Sequence, residues 1–313
     1  MAKVLAVFGA TGQQGSSIVN YVLNDAEFSR QYKIRAITRH LDSEKAQKLK
    51  ERVEVVQGDV LDRASLEAAL TGVQVVFAMT TPSLTPDGVA VEFNSAKTIA
   101  DVAVQKGAEY IIFSTMPPVQ GRSSGKYTEV ISFDAKVKAE QYIRSLPIKS
   151  AFYAPGLFME NFQDIPYLAP QPLPDGTWAL TRLASSKSRI PLIDAIGDTG
   201  KFIGAILAEP DKYEGKTFCA AGGIYTGDEI VAILSRATGK TIVYKQVSTE
   251  EFKKSLPFTA DSFVEFVEAL SYGEEFGYYG PDTEKLVAWA AENARGKLST
   301  LEEFLEAHPL QLR

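Results

Sequence analysis

The sequence predicts an α/β fold, in which a doubly wound parallel sheet carries a smaller, mostly helical C-terminal lobe. Short apolar runs recur through the first 155 residues, each rich in Val, Ile, Phe or Tyr and too short for a buried helix. Segments with helical spacing separate these runs, and a glycine-rich turn follows the first run directly. Strand–helix alternation of this length requires right-handed crossovers, which place the strands parallel in one sheet.

The predicted strands are residues 4–8, 34–38, 53–56, 73–80, 110–115 and 150–153. Between them, residues 64–70 place Leu66 and Leu70 on one face of a helix and Glu67 on the other. Residues 94–105 repeat this amphipathic pattern.

The alternation stops after Pro155. Residues 160–190 are rich in proline and favour loops, with 161–189 as a mobile lid. Two apolar runs, 190–193 and 217–221, flank a helix predicted at 199–208 and could return to the main sheet. From Gly227 onward the pattern indicates several helices around one strand at 242–247.

Composition excludes several classes of protein. The 313 residues carry a net charge of −6, and their basic residues are scattered among acids, so direct nucleic-acid binding is not expected. No apolar run reaches the ~18 residues of a membrane span, and the first run leads into a glycine turn rather than a signal-peptide cleavage site. Cys219 is the single cysteine, which agrees with a reducing compartment. We expect a cytoplasmic protein, with the nucleus as an alternative.

The turn after the first strand has the spacing Gly-x-x-Gly-x-x-Gly and opens a helix. In such a turn the first glycine permits the tight bend, the second lets the backbone approach a pyrophosphate, and the third lets the helix pack on the strand. The helix N-terminus then offers free N–H groups to phosphates. The alternative is a glycine-rich turn without a ligand. This order of strand, turn and helix predicts a Rossmann dinucleotide site containing Gly9, Thr11, Gly12, Gln13, Gln14 and Gly15.

The end of the second strand indicates which dinucleotide is bound. NAD-binding folds usually place an acid there, which accepts a hydrogen bond from the ribose 2′-OH. This strand instead ends at Thr38 and Arg39, with Lys45 soon after. A guanidinium binds a 2′-phosphate through several donors, whereas a carboxylate would repel it. The sequence therefore favours NADP(H) over NAD(H), the alternative being that Arg39 is a solvated surface charge.

Two acids follow the third strand. Asp59 could accept a hydrogen bond from the adenine amino group, with Val60 packing on the ring, or it could cap the next helix. For Asp62, which precedes Ser65 and Leu66, capping is the better interpretation.

The sequence resembles the NmrA-like family, an atypical branch of the short-chain dehydrogenase/reductase superfamily. The resemblance lies in the glycine turn, the Thr38-Arg39 strand end, the Ser-Phe-Asp-Ala-Lys segment at 132–136 and the Pro-Gly-Leu-Phe-Met-Glu-Asn segment at 155–161. It implies an NADP-binding Rossmann domain at 1–155, rejoined by about 190–223. A smaller lobe at 156–313 would form the other side of the cleft.

The resemblance also implies roles for residues outside the glycine turn. The end of the fourth strand would line the nicotinamide ribose side of the cleft, and Lys136 would reach the ribose hydroxyls. The 155–161 segment would close over the nicotinamide end, although Met159 could equally be core. These candidate residues are Ala78, Met79, Thr80, Thr81, Lys136, Pro155, Phe158 and Asn161.

The usual chemistry of the superfamily is not available to this chain. There, a tyrosine four residues before the lysine exchanges the proton during hydride transfer. Here that position is Ser132, a much poorer proton donor. Regulators of the NmrA-like family have this departure and bind NADP(H) without evident turnover. Related reductases of benzylic ethers also lack the tyrosine and use a lysine, so Lys136, with Ser132, is the candidate catalytic residue.

Two hypotheses follow. The first is an NADP(H)-loaded sensor that regulates a partner protein, which we favour because Ser132 replaces the proton donor. The second is an NADPH-dependent reductase of a small aromatic or carbonyl-type substrate, with aromatic residues of the C-terminal half lining its pocket. Those aromatic residues could equally form the core of the lobe or a partner-binding face. With two histidines and one cysteine, we expect no metal site.

Overall fold

The computed structural model describes residues 2–82, 87–254 and 260–312, and the chain there alternates strands and helices. The strands are β1 (Lys3–Phe8), β2 (Tyr32–Thr38), β3 (Glu54–Gln57), β4 (Val75–Ala78), β5 (Tyr110–Ser114), β6 (Lys149–Pro155), β7 (Leu157–Phe158), β8 (Gln171–Pro172), β9 (Trp178–Arg182), β10 (Arg189–Ile193), β11 (Thr217–Ala220), β12 (Gly223–Thr226) and β13 (Ile242–Gln246). The helices are α1 (Gln13–Asn24), α2 (Phe28–Gln31), α3 (Glu44–Lys50), α4 (Arg63–Ala69), α5 (Gly88–Gln105), α6 (Val119–Arg122), α7 (Ile131–Arg144), α8 (Asn161–Asp164), α9 (Ala195–Ala208), α10 (Pro210–Tyr213), α11 (Gly227–Thr238), α12 (Thr249–Lys254), α13 (Ala260–Phe276), α14 (Thr283–Asn293) and α15 (Leu301–Ala307).

The main sheet confirms the predicted doubly wound fold. Its strand order is β11-β6-β5-β4-β1-β2-β3, and its strands pair in parallel. All six strands predicted before residue 155 belong to it, and their ends differ from the prediction by a few residues. Because β1 pairs with both β2 and β4, the strand order reverses between β1 and β4. That reversal opens a crevice at the carboxyl ends of the strands.

Helices cover both faces of the main sheet. On one face, Ile18 of α1 and Phe202 of α9 are buried in a cluster with the side chains of β1 and β4. On the other face, Leu66 of α4, Ile99 of α5 and Ala139 of α7 form a second buried cluster. Burial on both faces explains why these strands are almost continuously apolar rather than alternating.

One expectation about the main sheet is wrong. Residues 190–193 do not return to it, because β10 pairs with β7 in parallel and with β12 in antiparallel fashion in a separate sheet. The cause is competition for one edge. The strand β11 pairs with β6 through Thr217 and Phe152 up to Ala220 and Pro155, and it occupies the position that β10 would need.

The stretch 161–189 is not only loops. Its prolines precede β9, which pairs with β8 and with β13 in a third sheet. Leu180 of β9 is buried with Met159 and Ile230 in a cluster that forms the core of the second lobe. In the described residues after Gly227 the chain forms the helices α11 to α15 and the strand β13, the elements that the sequence predicts there, and α11 packs against β13. The division of the chain at residue 155 stays a prediction.

Within the described ranges, no helix combines the length and the apolarity needed to cross a membrane.

Candidate functional site

The residues predicted to bind a ligand follow the carboxyl ends of the parallel strands, at the crevice where the strand order reverses. Helices α3 and α7 contribute Lys45 and the pair Ser132 and Lys136. The strand ends and their loops contribute Gly9, Thr11, Gly12, Gln13, Gln14 and Gly15 after β1, Arg39 after β2, Asp59 and Val60 after β3, Ala78, Met79, Thr80 and Thr81 at β4, and Pro155, Phe158 and Asn161 from β6 onward.

The three glycines of the turn meet different surroundings. Gly9 has φ +65°, and a Cβ there would lie 2.5 Å from Met79 Sδ. A Cβ on Gly15 would lie 2.2 Å from the Gly9 carbonyl oxygen, so this glycine lets α1 approach β1. A Cβ on Gly12 would meet only that same oxygen, at 3.3 Å. Glycine is therefore favoured at position 9 by the backbone conformation and at position 15 by the packing of α1 on β1, whereas Gly12 leaves free space beside the turn.

The N-terminus of α1 faces this space without a capping side chain. Gly12 is its N-cap, and the first turn contains no acidic residue. The first N–H groups of a helix have no partner within the helix and carry its positive dipole end. In the same first turn, the buried Gln14 Oε1, which is an acceptor and not a donor, lacks a hydrogen-bond partner within the described part of the chain. Open space and free donors together fit a pyrophosphate.

The second lobe reaches the glycine turn through α8. Gln13 Nε2 donates to Asp164 Oδ2 over 3.3 Å, which joins the turn to the helix that Asn161 begins. Phe158 is half-buried against the core beneath the main sheet. Met159 is completely buried in the core of the second lobe, as the alternative interpretation of this residue predicts. Asn161 thus lies one helical turn from a contact with the glycine turn.

Arg39 and Lys45 are exposed, and neither side chain has an ion pair or hydrogen bond among the residues that the structure describes. The neighbouring Lys48, in contrast, pairs with Glu44 at 2.6 Å. Two cations without carboxylate partners beyond the end of β2 are available to an anionic group.

The acids after β3 form a turn of their own. Asp62 accepts from the N–H groups of Ala64 and Ser65, which confirms it as the cap of α4. Asp59 Oδ1 accepts from the Leu61 N–H at 3.0 Å, and Val60 is half-buried against the adjacent core. The adenine contact assigned to Asp59 and Val60 stays a prediction.

A buried network joins Lys136 to the end of β4. Its ammonium donates to the Thr80 carbonyl oxygen at 2.8 Å, to Thr80 Oγ1 at 2.9 Å and to Glu92 Oε1 at 2.5 Å. Thr80 Oγ1 in turn donates to Glu92 Oε1 at 2.7 Å. Burial lowers the pKa of Lys136, and the charge of Glu92 opposes this shift. Three acceptors engage the three hydrogens of the ammonium.

Sequence reasoning missed Glu92. The signal was nevertheless present, because Glu92 shares the buried stripe of α5 with Ala96, Ile99 and Ala103. A carboxylate at such a position requires a buried cation or donor.

Two other hydroxyl residues lie in α7 and directly after β5. Ser132 lies one turn before Lys136 in α7, and its N–H donates to Glu265 Oε1 at 2.9 Å. Thr115, directly after β5, has a buried Oγ1 that finds no hydrogen-bond partner in the described residues.

Metal and thiol chemistry find no support in the described residues. No three His, Cys, Asp or Glu side chains there are grouped to hold a metal ion. Cys219 is buried, and burial raises the pKa of its thiol to about 12. It is therefore not a reactive thiolate near neutral pH.

The doubly wound sheet, its crevice and the glycine turn define a Rossmann-type α/β protein. Within that class, the chain belongs to the NmrA-like family, whose model matches residues 1–305. It is 30% identical over 268 residues to the NmrA-like oxidoreductase FrzB of Cladobotryum sp., covering 79% of this chain and 77% of the relative. An NmrA-like protein of Dictyostelium discoideum is 30% identical over 316 residues, covering 98% of each chain.

The fold is similar to that of a solved structure of NmrA, a negative transcriptional regulator. Its complex with NAD has a TM-score of 0.79 at 23% identity, and the match covers 99% of this chain and 98% of NmrA. A complex of NmrA with NADP matches equally well.

Proposed function

We propose that this protein binds NADP(H) in the crevice of the main sheet and acts as a sensor of that cofactor, regulating a partner protein. The observation that carries the proposal has two parts: the space for a pyrophosphate is open, and the Lys136 ammonium is fully engaged in hydrogen bonds within the protein. Gly12 leaves open space beside the turn, and the Lys136 ammonium donates its hydrogen bonds to Thr80 and Glu92.

The residues present fit the cofactor along its length. The free N–H groups at the start of α1 would hold the pyrophosphate, and Arg39 with Lys45 would bind a 2′-phosphate. The end of β4 and the segment 155–161 would enclose the nicotinamide half. When bound, the nicotinamide ring can give or take a hydride. The two NmrA complexes, one with NAD and one with NADP, support a dinucleotide without choosing between them. The free cations beyond β2 favour NADP(H).

The regulatory role follows from the proton chemistry of the site. Hydride transfer to a carbonyl needs a proton donor at the substrate oxygen. Ser132 stands where a tyrosine would supply that proton, and Lys136 is held by a buried carboxylate. A protein that binds the cofactor without oxidising or reducing it can report the concentration of the cofactor through a conformational change. The name of NmrA as a negative transcriptional regulator supports this role.

Cofactor choice can be tested at Arg39. We expect Arg39→Asp to weaken NADPH binding about tenfold or more, because a charge-assisted contact with the 2′-phosphate is replaced by repulsion. NADH affinity should stay unchanged. Calorimetry measures both constants, and Lys33→Asp, at the opposite end of β2, is the matched control. Equal affinity of the wild type for NADPH and NADH would contradict the NADP preference.

A reductase is the second candidate, and the Thr115 hydroxyl favours it. This buried group has no hydrogen-bond partner in the described residues and lies at the carboxyl end of β5, where it could orient a small aromatic or carbonyl-type substrate by a hydrogen bond, with Lys136 as the proton donor. The relative FrzB is named an oxidoreductase, which supports the same interpretation.

One experiment separates the two candidates. Hydrogen exchange with and without NADPH should reveal protection of residues 161–177, because α8 already contacts the glycine turn through Gln13 and Asp164. In parallel, single-turnover oxidation of bound NADPH is followed with aromatic ketones, enones and imines. Protection without oxidation supports the sensor. Oxidation of bound NADPH by any of these substrates would make the protein a reductase, and its loss in Thr115→Val, at unchanged NADPH affinity, would assign this hydroxyl to the substrate site.

A further inference from the structure

The network around Lys136 connects three elements that are distant in sequence. Thr80 is the second residue after β4, Glu92 belongs to α5, and Lys136 belongs to α7. The carboxylate of Glu92 accepts from both of the other side chains, at 2.7 Å from Thr80 Oγ1 and 2.5 Å from Lys136 Nζ. The Thr80 main-chain oxygen accepts from the same ammonium at 2.8 Å. Both the backbone and the side chain of Thr80 are therefore held in place.

The charges of this network depend on each other. The Glu92 side chain is 2% exposed and that of Lys136 is 11% exposed, so both ions have left bulk water. Removal of one partner leaves the other charge buried and uncompensated, which is strongly destabilising. Replacement of both by neutral side chains of similar volume removes that penalty. A fully satisfied network of this kind also fixes a single geometry.

Thr80, which this network holds, lies beside the predicted cofactor crevice. Met79, between β4 and Thr80, has its sulfur against Gly9, where a Cβ would be only 2.5 Å away. A displacement of the chain at Thr80 would therefore act on the wall of the glycine turn and on the end of β4. By the proposed function, this strand end borders the nicotinamide half, whereas Arg39 and Lys45 bind at the other end of the cofactor.

We propose that Glu92 is a positioning residue, which acts through Lys136 to hold Thr80 and the end of β4 against the nicotinamide half of the dinucleotide. The ammonium of Lys136 serves this purpose and does not protonate a substrate. The inference rests on the proposed function, since it assigns Glu92 a role in the same site. A positioning role can be distinguished from a purely structural ion pair, because only the binding of the nicotinamide half of the cofactor should depend on Glu92.

The two halves of the cofactor can be measured separately. NADPH occupies the whole site, whereas 2′,5′-ADP occupies only the adenine end. We expect Glu92→Gln to raise the dissociation constant of NADPH about tenfold, through the loss of one charge-assisted contact in the network. The dissociation constant of 2′,5′-ADP should stay within about twofold of the wild type. Asp101→Asn is the matched control, because it removes an ion pair with Lys97 at a distant site on the same helix.

A double variant separates positioning from stability. Glu92→Gln and Lys136→Met should each lower the melting temperature, because each leaves one buried charge unpaired. The double variant, Glu92→Gln with Lys136→Met, should regain most of that loss, since no buried charge remains. Its NADPH affinity should stay weak, because the ammonium that holds Thr80 is absent. If Glu92→Gln does not fold, this double variant alone carries the comparison of NADPH with 2′,5′-ADP.

Several results would overturn the positioning role. Equal weakening of NADPH and 2′,5′-ADP in the double variant would mark the pair as structural, as would NADPH affinity that recovers together with the melting temperature. Unchanged binding of both ligands would also contradict it. A wild-type protein that binds neither ligand would instead refute the proposed function, and the positioning role with it.

Discussion

Gly12→Val is expected to abolish dinucleotide binding while the chain still folds. Gly12 has φ −93° and ψ −179°, an extended conformation that valine adopts readily. The added Cβ would meet only the Gly9 carbonyl oxygen, at 3.3 Å, so the turn can accept it with a small shift. The isopropyl group would instead fill the space beside the N-terminus of α1, where the pyrophosphate must approach the backbone. Affinity for NADPH and for NADH should both fall by about a hundredfold or more, ~2.7 kcal/mol.

Calorimetry with both cofactors measures this loss, and circular dichroism with thermal unfolding establishes that the variant is folded. Gly121→Val is the matched control, because Gly121 is exposed and its added Cβ would meet no atom within 4 Å. A folded Gly12→Val protein with normal cofactor affinity would show that the phosphates bind elsewhere.

The main sheet could be predicted because its signal is local. Each strand is a short apolar run, and the helices between them carry their own periodicity. Which sheet a run joins is a non-local property, and here prediction failed for β10. Its apolar run resembles those of the main sheet, but the edge beside β6 belongs to β11, which follows later in the chain. No pattern within residues 190–193 distinguishes these two outcomes.

The candidate site likewise has a part that can be predicted from local sequence and a part that cannot. The glycine turn is contiguous, so its strand, spacing and helix could be read directly from the sequence. Glu92 and Lys136 are 44 positions apart, and their pairing depends on how α5 and α7 pack. The acid on the apolar stripe of α5 indicated that some buried partner exists, but only the folded chain identifies it. For the same reason, no sequence pattern identified Thr115 as a buried hydroxyl without a partner in the described residues.

The third glycine of the turn supports a prediction about the fold rather than the ligand. Gly15 lies in the first turn of α1, and glycine is ordinarily the poorer choice in a helix by about 1 kcal/mol relative to alanine. Helix propensity alone would therefore make Gly15→Ala stabilising.

The packing of α1 on β1 predicts the opposite sign. The Cβ that this substitution adds would lie 2.2 Å from the Gly9 carbonyl oxygen, 2.5 Å from the Gly9 carbonyl carbon and 2.6 Å from the Ala10 Cα. All three atoms belong to the backbone, so no side chain can rotate away, and α1 must move off the strand. We expect Gly15→Ala to lower the free energy of unfolding by about 3 kcal/mol, measured by urea denaturation. Gly12→Ala, in the same turn but with open space beside it, should stay within about 1 kcal/mol of the wild type. A Gly15→Ala protein at least as stable as the wild type would mean that helix propensity outweighs this contact and that the third glycine is not needed for packing.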